Sequence, residues 1–118
     1  MYREITIGKE SIPMKATAAT ALRYRHVFGQ DLLTEMQKVG EDGGLGMSAL
    51  QQLAFIMAKA AEAKEGKADL NMLNQDMFVE WLEQFDPMDI PMASDEIVGL
   101  YTGNMETSSE PKKKEKKK

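Results

Sequence analysis

The single histidine and the serines are the side chains whose chemistry would serve catalysis. His26 has no carboxylate or second imidazole close to it in its helical segment, and a general base or metal ligand needs such a partner. Ser11, Ser48 and Ser94 lack the Gly-x-Ser-x-Gly context of a nucleophile elbow. The 118 residues include no cysteine, which excludes a thiolate nucleophile, a disulfide and a thiolate metal site. These patterns indicate a protein that is not an enzyme.

Four carboxylates, Asp86, Asp89, Asp95 and Glu96, form the densest acidic group. Prolines interrupt their spacing, which does not match the ligand positions of a calcium loop. We therefore expect these residues at helix N-termini, where carboxylates complement the helix dipole. The glycines of residues 40–46 lack the strand–glycine–helix context of a phosphate-binding loop. We expect neither a metal ion nor any other cofactor.

Two apolar stripes are the candidates for binding another protein. An aromatic stripe at helical spacing either anchors the core or forms a hot spot for a helical partner, and the sequence leaves both interpretations open. Ten methionines are equally compatible with a core and with an adaptable binding surface. The candidate partner-binding residues are Leu50, Leu53 and Met57 in one helix and Phe78, Trp81, Leu82 and Phe85 in another.

The first fifteen residues predict a β-hairpin. Residues 2–7 alternate with period two, which places Ile5 and Ile7 on one side of a strand. Gly8 and Lys9 form a two-residue turn, for which glycine supplies the positive φ. Residues 10–14 return as a second strand. Pro13 cannot donate to a ladder, so this strand must lie at an edge or end early.

The remaining pattern is helical. Apolar residues at helical spacing, with glycines at the helix ends, predict helices over residues 16–28, 31–39, 48–65, 75–85 and 94–101. Thr17 or Thr20 is a candidate cap for the first of these. Ser48 with Gln51 predicts a capping box, and Asp86 with Pro87 predicts a further helical start that Pro91 interrupts. The fold class is mainly α, a hairpin followed by a compact bundle of four to five short helices over residues 1–103.

Charge divides the chain into two parts. The net charge is −4, but residues 110–118 hold six lysines and two glutamates, whereas residues 1–109 hold 9 basic and 17 acidic side chains. Residues 104–118 are polar and basic, and we expect them to form a disordered Lys-rich tail. An acidic body repels nucleic acid, so nucleic-acid binding is not expected outside this tail. No apolar run predicts a signal peptide or a membrane span, and we expect the cytoplasm as the location.

The stretches at residues 5–10, 19–32 and 78–86 resemble parts of the tail assembly chaperones of long-tailed (siphovirus-type) bacteriophages. Residues 5–10, Ile-Thr-Ile-Gly-Lys-Glu, are similar to the family's hairpin, and residues 19–32 are similar to its first helix. Residues 78–86, Phe-Val-Glu-Trp-Leu-Glu-Gln-Phe-Asp, are similar to a later helix, after which residues 97–101 match the place of a C-terminal helix. The resemblance covers most of residues 1–103 and rests on packing motifs, not on catalytic ones.

This resemblance implies a chaperone that binds and solubilises the tape-measure protein during tail assembly. The major tail tube protein displaces such chaperones, which act in the cytoplasm of the bacterial host and are absent from the mature virion. Many have a longer form made by ribosomal frameshifting, and the lysine codons of residues 112–118 are of the kind that favours slippage. The gene would belong to a phage or a prophage.

We also expect the protein to self-associate, and the sequence leaves two alternative functions open. The edge of the hairpin or the alanine-rich helix is expected to join copies into a homo-oligomer. One alternative function is a head–tail connector or other phage morphogenesis protein that stays in the particle. The second alternative is a small nucleic-acid-binding regulator that uses the Lys tail.

Overall fold

The computed structural model describes residues 1–39 and 46–103, in which an antiparallel hairpin precedes six α-helices. This confirms the predicted fold class, and the glycine-rich residues 40–45 and the tail at 104–118 lie outside the described residues. A short 3-10 helix, Leu70–Met72, joins the third and fourth α-helices. The elements are β1 (Tyr2–Ile7), β2 (Glu10–Lys15), α1 (Thr20–Phe28), α2 (Leu32–Val39), α3 (Met47–Lys64), α4 (Gln75–Leu82), α5 (Asp89–Met92) and α6 (Ser94–Thr102).

The hairpin forms as its alternation predicts. Gly8 has a φ of 64°, and no non-glycine residue among those described has a positive φ, so the turn has glycine at the first central position of a type II′ geometry. Ile7 pairs with Glu10 and Tyr2 with Lys15. Ile5 is 1 % exposed and Ile7 is fully buried. The hairpin therefore turns one apolar face towards the helices and leaves the other in solvent.

Helix α3 is the centre of the domain. Six consecutive residues, 53–58, are buried, so neighbours cover this part of the helix on every side. Strand β2 lies along α3, whereas β1 lies beside α5 and α6. The hairpin therefore covers α3 with one strand and the C-terminal helices with the other.

Two predicted helix starts were wrong. Helix α1 begins at Thr20 instead of residue 16, because Ala16 and Met1 exchange two backbone hydrogen bonds that extend the hairpin ladder. The hydroxyls of Thr17 and Thr20 accept bonds within the connecting turn, and neither caps α1. Helix α3 begins at Met47 with no side-chain cap, so the capping box predicted one residue later does not form.

The region after α4 also differs from its prediction. Helix α4 ends at Leu82, three residues before the predicted end. The predicted helical start at Asp86 was wrong, since α5 begins at Asp89 and the Asp86 backbone N–H donates to the Asp89 carboxylate at 2.9 Å. Pro91 lies inside α5 and does not interrupt it, because a first-turn N–H has no partner within its own helix.

The C-terminal helix follows the prediction closely. Helix α6 begins at Ser94 and ends at Thr102, and Gly103 follows it with a φ of 80°. Asp95 and Glu96 lie in its first turn, and Asp89 lies in the first turn of α5, as expected for carboxylates that complement helix dipoles. The extra short helix α5 raises the number of α-helices within residues 1–39 and 46–103 to six. Among the described residues, no helix is long and apolar enough to span a membrane.

Candidate partner-binding surface

The apolar stripe predicted on α3 is buried within the domain. Leu50 is 3 % exposed, and Leu53 and Met57 are fully buried. A hydrophobic side chain in this position contributes by removing apolar area from water, about 1.5–3 kcal/mol for each large side chain. In this conformation a partner does not reach these three residues, and their role in partner binding stays a prediction.

The aromatic stripe predicted on α4 joins a cluster of rings. Trp81 is buried, whereas Phe78, Leu82 and Phe85 are half-buried against the core. Neighbouring rings meet in tilted or edge-to-face geometry with centroid separations from 4.9 to 6.2 Å. The members of this aromatic cluster are Tyr24, Phe28, Phe55, Phe78, Trp81 and Phe85.

Phe55 is the centre of the aromatic cluster, and the sequence analysis missed it. Its ring contacts those of Phe28, Phe78 and Trp81. Phe55 lies off the stripe of Leu50, Leu53 and Met57, so a one-sided helix pattern does not select it. The signal was the unbroken apolar run at residues 53–58, since a helix that is apolar on all sides is buried.

A surface groove of about 350 Å³ lies beside the aromatic cluster. It is lined by residues of β2, α3 and α4 and by Gln84 just after α4, and its apolar lining consists of Ile12, Pro13, Met77 and Trp81. Trp81 is the one predicted partner-binding residue in this lining. We call this feature the α4 groove.

Charged and polar side chains complete the α4 groove. Lys59 and Glu62 form an ion pair at 3.2 Å, and Glu80 and Gln84 are the remaining polar residues of the lining. The Lys59 ammonium also lies 5.8 Å from the centroid of the Phe55 ring. Since Lys59 is already paired, the carboxylate of Glu80 leaves the groove with acidic character.

A second groove of about 410 Å³ lies between the hairpin turn and the segment that follows α4. Phe85 lines it together with Asp86 and Asp89, and Gln84 lines both grooves. The two grooves therefore share a border at the C-terminal end of α4. Phe85 is the second predicted partner-binding residue that lines a groove.

The surface around these grooves is acidic. Residues 68–103, which include α4, α5 and α6, hold eight Asp or Glu residues and no Lys, Arg or His. Glu80 and Glu83 are exposed on or just after α4. Such a surface attracts cationic partners and repels polyphosphates at moderate ionic strength. The chemistry of the α4 groove therefore fits an apolar segment flanked by basic side chains.

Tyr24 holds one end of the aromatic cluster. Its hydroxyl donates to Gln52 Oε1 at 2.6 Å, and its ring lies 5.5 Å from that of Phe28. Burial raises the pKa of Tyr24 to about 12, and the negative charge of Glu35 acts in the same direction. The residue is thus a neutral donor at every physiological pH.

This shift predicts a pH dependence of stability. An unfolded chain releases the Tyr24 proton near pH 10, whereas the folded chain keeps it to about pH 12. Between these values the unfolded state binds fewer protons, so the free energy of unfolding falls as the pH rises, and the stabilisation is fully present below pH 10. We expect the difference in Tm between wild type and Tyr24→Phe to narrow across this window. Thermal melts of both proteins measure it, and a constant difference would contradict the assignment.

The other residues considered for catalysis or metal binding do not come together in a site among the described residues. His26 is exposed and lies beside Arg23 and Asn71, which form a hydrogen bond at 2.9 Å. Among residues 1–39 and 46–103, no three His, Asp or Glu side chains are grouped to hold a metal ion. The features that suit recognition are therefore the α4 groove and the acidic surface around it. Compared with known proteins, the chain matches no family model, no curated protein and no solved structure.

Proposed function

We propose that the chain is a phage tail assembly chaperone that binds and solubilises the tape-measure protein in the cytoplasm of the bacterial host. The resemblance of residues 5–10, 19–32 and 78–86 to that family names the function. The observation that supports it in the structure is the α4 groove, whose apolar lining and acidic border suit a helical segment. On this proposal the chaperone leaves before the virion is complete.

The size of the α4 groove favours side chains over a whole helix. A helix with its side chains is about 10–12 Å across, so a groove of about 350 Å³ accepts a few apolar side chains from one face of it. Each large apolar side chain that becomes buried contributes about 1.5–3 kcal/mol before the cost of association. A single site is therefore weak.

Weak binding sites suit a client protein that is long and is bound only temporarily. A tape-measure protein presents many helical turns, so many copies of the chaperone bind along one client. Each contact can be broken singly, which lets the major tail tube protein replace the chaperones in turn. Apolar grooves also accept different helical sequences, because their contacts depend on shape and hydrophobicity.

Co-expression with the long helical tape-measure protein of the same gene cluster tests this function. We expect the client to become soluble and to copurify with many copies of the chain. A client that remains insoluble and unbound would contradict the proposal. The alternatives of a head–tail connector and a nucleic-acid-binding regulator would then be tested next.

A further inference from the structure

The hydrogen-bond pattern of the hairpin shows which backbone groups point away from it. Met1 and Ala16 exchange two bonds, N to O at 2.6 and 2.7 Å, and therefore form a hydrogen-bonded pair. Bonded and non-bonded pairs alternate along an antiparallel ladder. The pairs Tyr2–Lys15, Glu4–Pro13 and Thr6–Ser11 are consequently the non-bonded ones. The N–H and C=O groups of these six residues point outward, three residues on each edge.

The two edges differ in their capacity to accept another strand. On the outer edge of β2, Pro13 occupies the middle position and has no N–H to donate. Proline is one of the devices with which proteins protect edge strands. The edge of β2 therefore lacks its central donor and is the poorer acceptor of another strand.

No proline interrupts the outer edge of β1. Tyr2, Glu4 and Thr6 all retain their N–H groups, and their side chains are exposed. No other described residue forms a backbone hydrogen bond with these three residues on that side. Alternating donors and acceptors on an extended backbone are complementary to another extended backbone. This edge can therefore accept one more β-strand through backbone hydrogen bonds.

We propose that β1 pairs with β1 of a second copy, so that two hairpins form one four-stranded antiparallel sheet. Pairing of β1 with β2 of another copy would leave free edges at both ends and produce an open chain. Pro13 blocks that arrangement. Two β1 edges related by a two-fold axis use up both open edges, so the assembly stops at a dimer.

Charge disfavours two registers of this pairing. A two-fold centred on Glu4 places two carboxylates directly opposite each other, and one centred on Arg3 places two guanidinium groups opposite each other, which is unfavourable in either case. A two-fold centred on Ile5 places Ile5 opposite Ile5 of the second copy. Glu4 then pairs with Thr6 of the second copy, and each of the two such pairs exchanges two backbone hydrogen bonds. This register has no like charges directly opposite each other. It places the apolar faces of the two hairpins on the same side of the four-stranded sheet.

A proline in β1 tests the edge without breaking the hairpin. Glu4 belongs to the same non-bonded pair as Pro13, so Glu4→Pro removes an outward backbone N–H and no hydrogen bond of the β1–β2 ladder, as Pro13 does in β2. We expect wild type to sediment as a dimer at high micromolar concentration and Glu4→Pro to sediment as a monomer with an unchanged circular dichroism spectrum. Glu4→Ala keeps the N–H and controls for loss of the carboxylate and of its bond with the Ser11 hydroxyl. It should remain dimeric.

The converse substitution opens the second edge. Pro13→Thr restores the missing donor on β2, and we expect it to form species larger than a dimer in sedimentation velocity.

The chain has no cysteine, so single cysteines report the register directly. A mixture of Thr6→Cys and Glu4→Cys chains should form a disulfide between the two variants more readily than either variant does with itself, because the Cα atoms of a bonded pair are about 5.5 Å apart.

A monomeric wild type up to millimolar concentration would overturn the proposal, as would a dimer that survives Glu4→Pro. Preferred cross-linking of Thr6→Cys chains to one another would overturn the register. The inference is independent of the proposed chaperone function, because sedimentation uses the purified chain without a client. A failure to form a dimer therefore leaves the co-expression result unaffected, and the reverse is also true.

Discussion

Replacement of Phe55 by alanine should lower the free energy of unfolding by about 3–5 kcal/mol, the range for truncating a large buried aromatic residue. Phe55 is fully buried and its ring contacts three others, at centroid distances of 6.2, 5.4 and 5.7 Å. The substitution leaves a cavity at the centre of the aromatic cluster and also removes the edge contacts. Since a domain of this size is stable by only about 5–15 kcal/mol, this loss is a large fraction of the total stability. Urea denaturation followed by Trp81 fluorescence measures the loss.

Val79 provides the matched control for this truncation. It is 51 % exposed on α4, so Val79→Ala should change stability by less than about 0.5 kcal/mol. A loss below about 1 kcal/mol for Phe55→Ala would show that the cluster repacks or that the ring is not buried in solution. That result would remove the physical basis for treating α3 as the centre of the domain.

Replacement of Gly8 by alanine is the second large effect that we expect. Gly8 has a φ of 64°, and an added Cβ would meet the Asp89 carboxylate, with its Cγ at 2.8 Å. Backbone strain of this kind costs about 1–3 kcal/mol, and the displacement of Asp89 adds to it. That carboxylate also accepts a bond from the Asp86 backbone N–H, so moving it loosens the entry to α5. Denaturant unfolding should show the combined loss.

Gly29 provides a control that separates the backbone strain from the displacement of Asp89. Its φ is 74°, but an added Cβ would have no atom within 4 Å, so Gly29→Ala reports the backbone strain alone. We expect Gly8→Ala to cost more than Gly29→Ala. In the background of Asp89→Ala, Gly8→Ala should cost less than it does in the wild-type background. Equal losses for the two alanines in the wild-type background would mean that Asp89 moves away freely.

The hairpin and the interior of the helices were predictable from the sequence because local patterns determine them. Alternation fixed the faces of Ile5 and Ile7, and Gly8 marked the turn. The helix starts were less predictable, since they depend on contacts that are distant in the chain. The beginning of α1 is set by the bonds of Ala16 to Met1, which no pattern within residues 16–28 contains.

The candidate surface was predictable only in part. Periodicity shows which side of a helix is apolar, but not whether the same chain or another protein covers it. Leu53 and Trp81 have the same spacing signal, yet the first is sealed within the core and the second lines a groove. The α4 groove combines residues from β2, α3 and α4, so it exists only once the tertiary contacts are known.

The most direct test of the central claim is copurification of the tape-measure protein with two variants of α4. Met77→Glu introduces a charge into the apolar lining of the α4 groove, whereas Val79→Glu introduces the same charge on the exposed side of the same helix. Both variants are first shown to be folded by thermal melting. The account predicts that Met77→Glu loses the client and Val79→Glu retains it. Full client binding by folded Met77→Glu would contradict the assignment of the α4 groove as the binding surface.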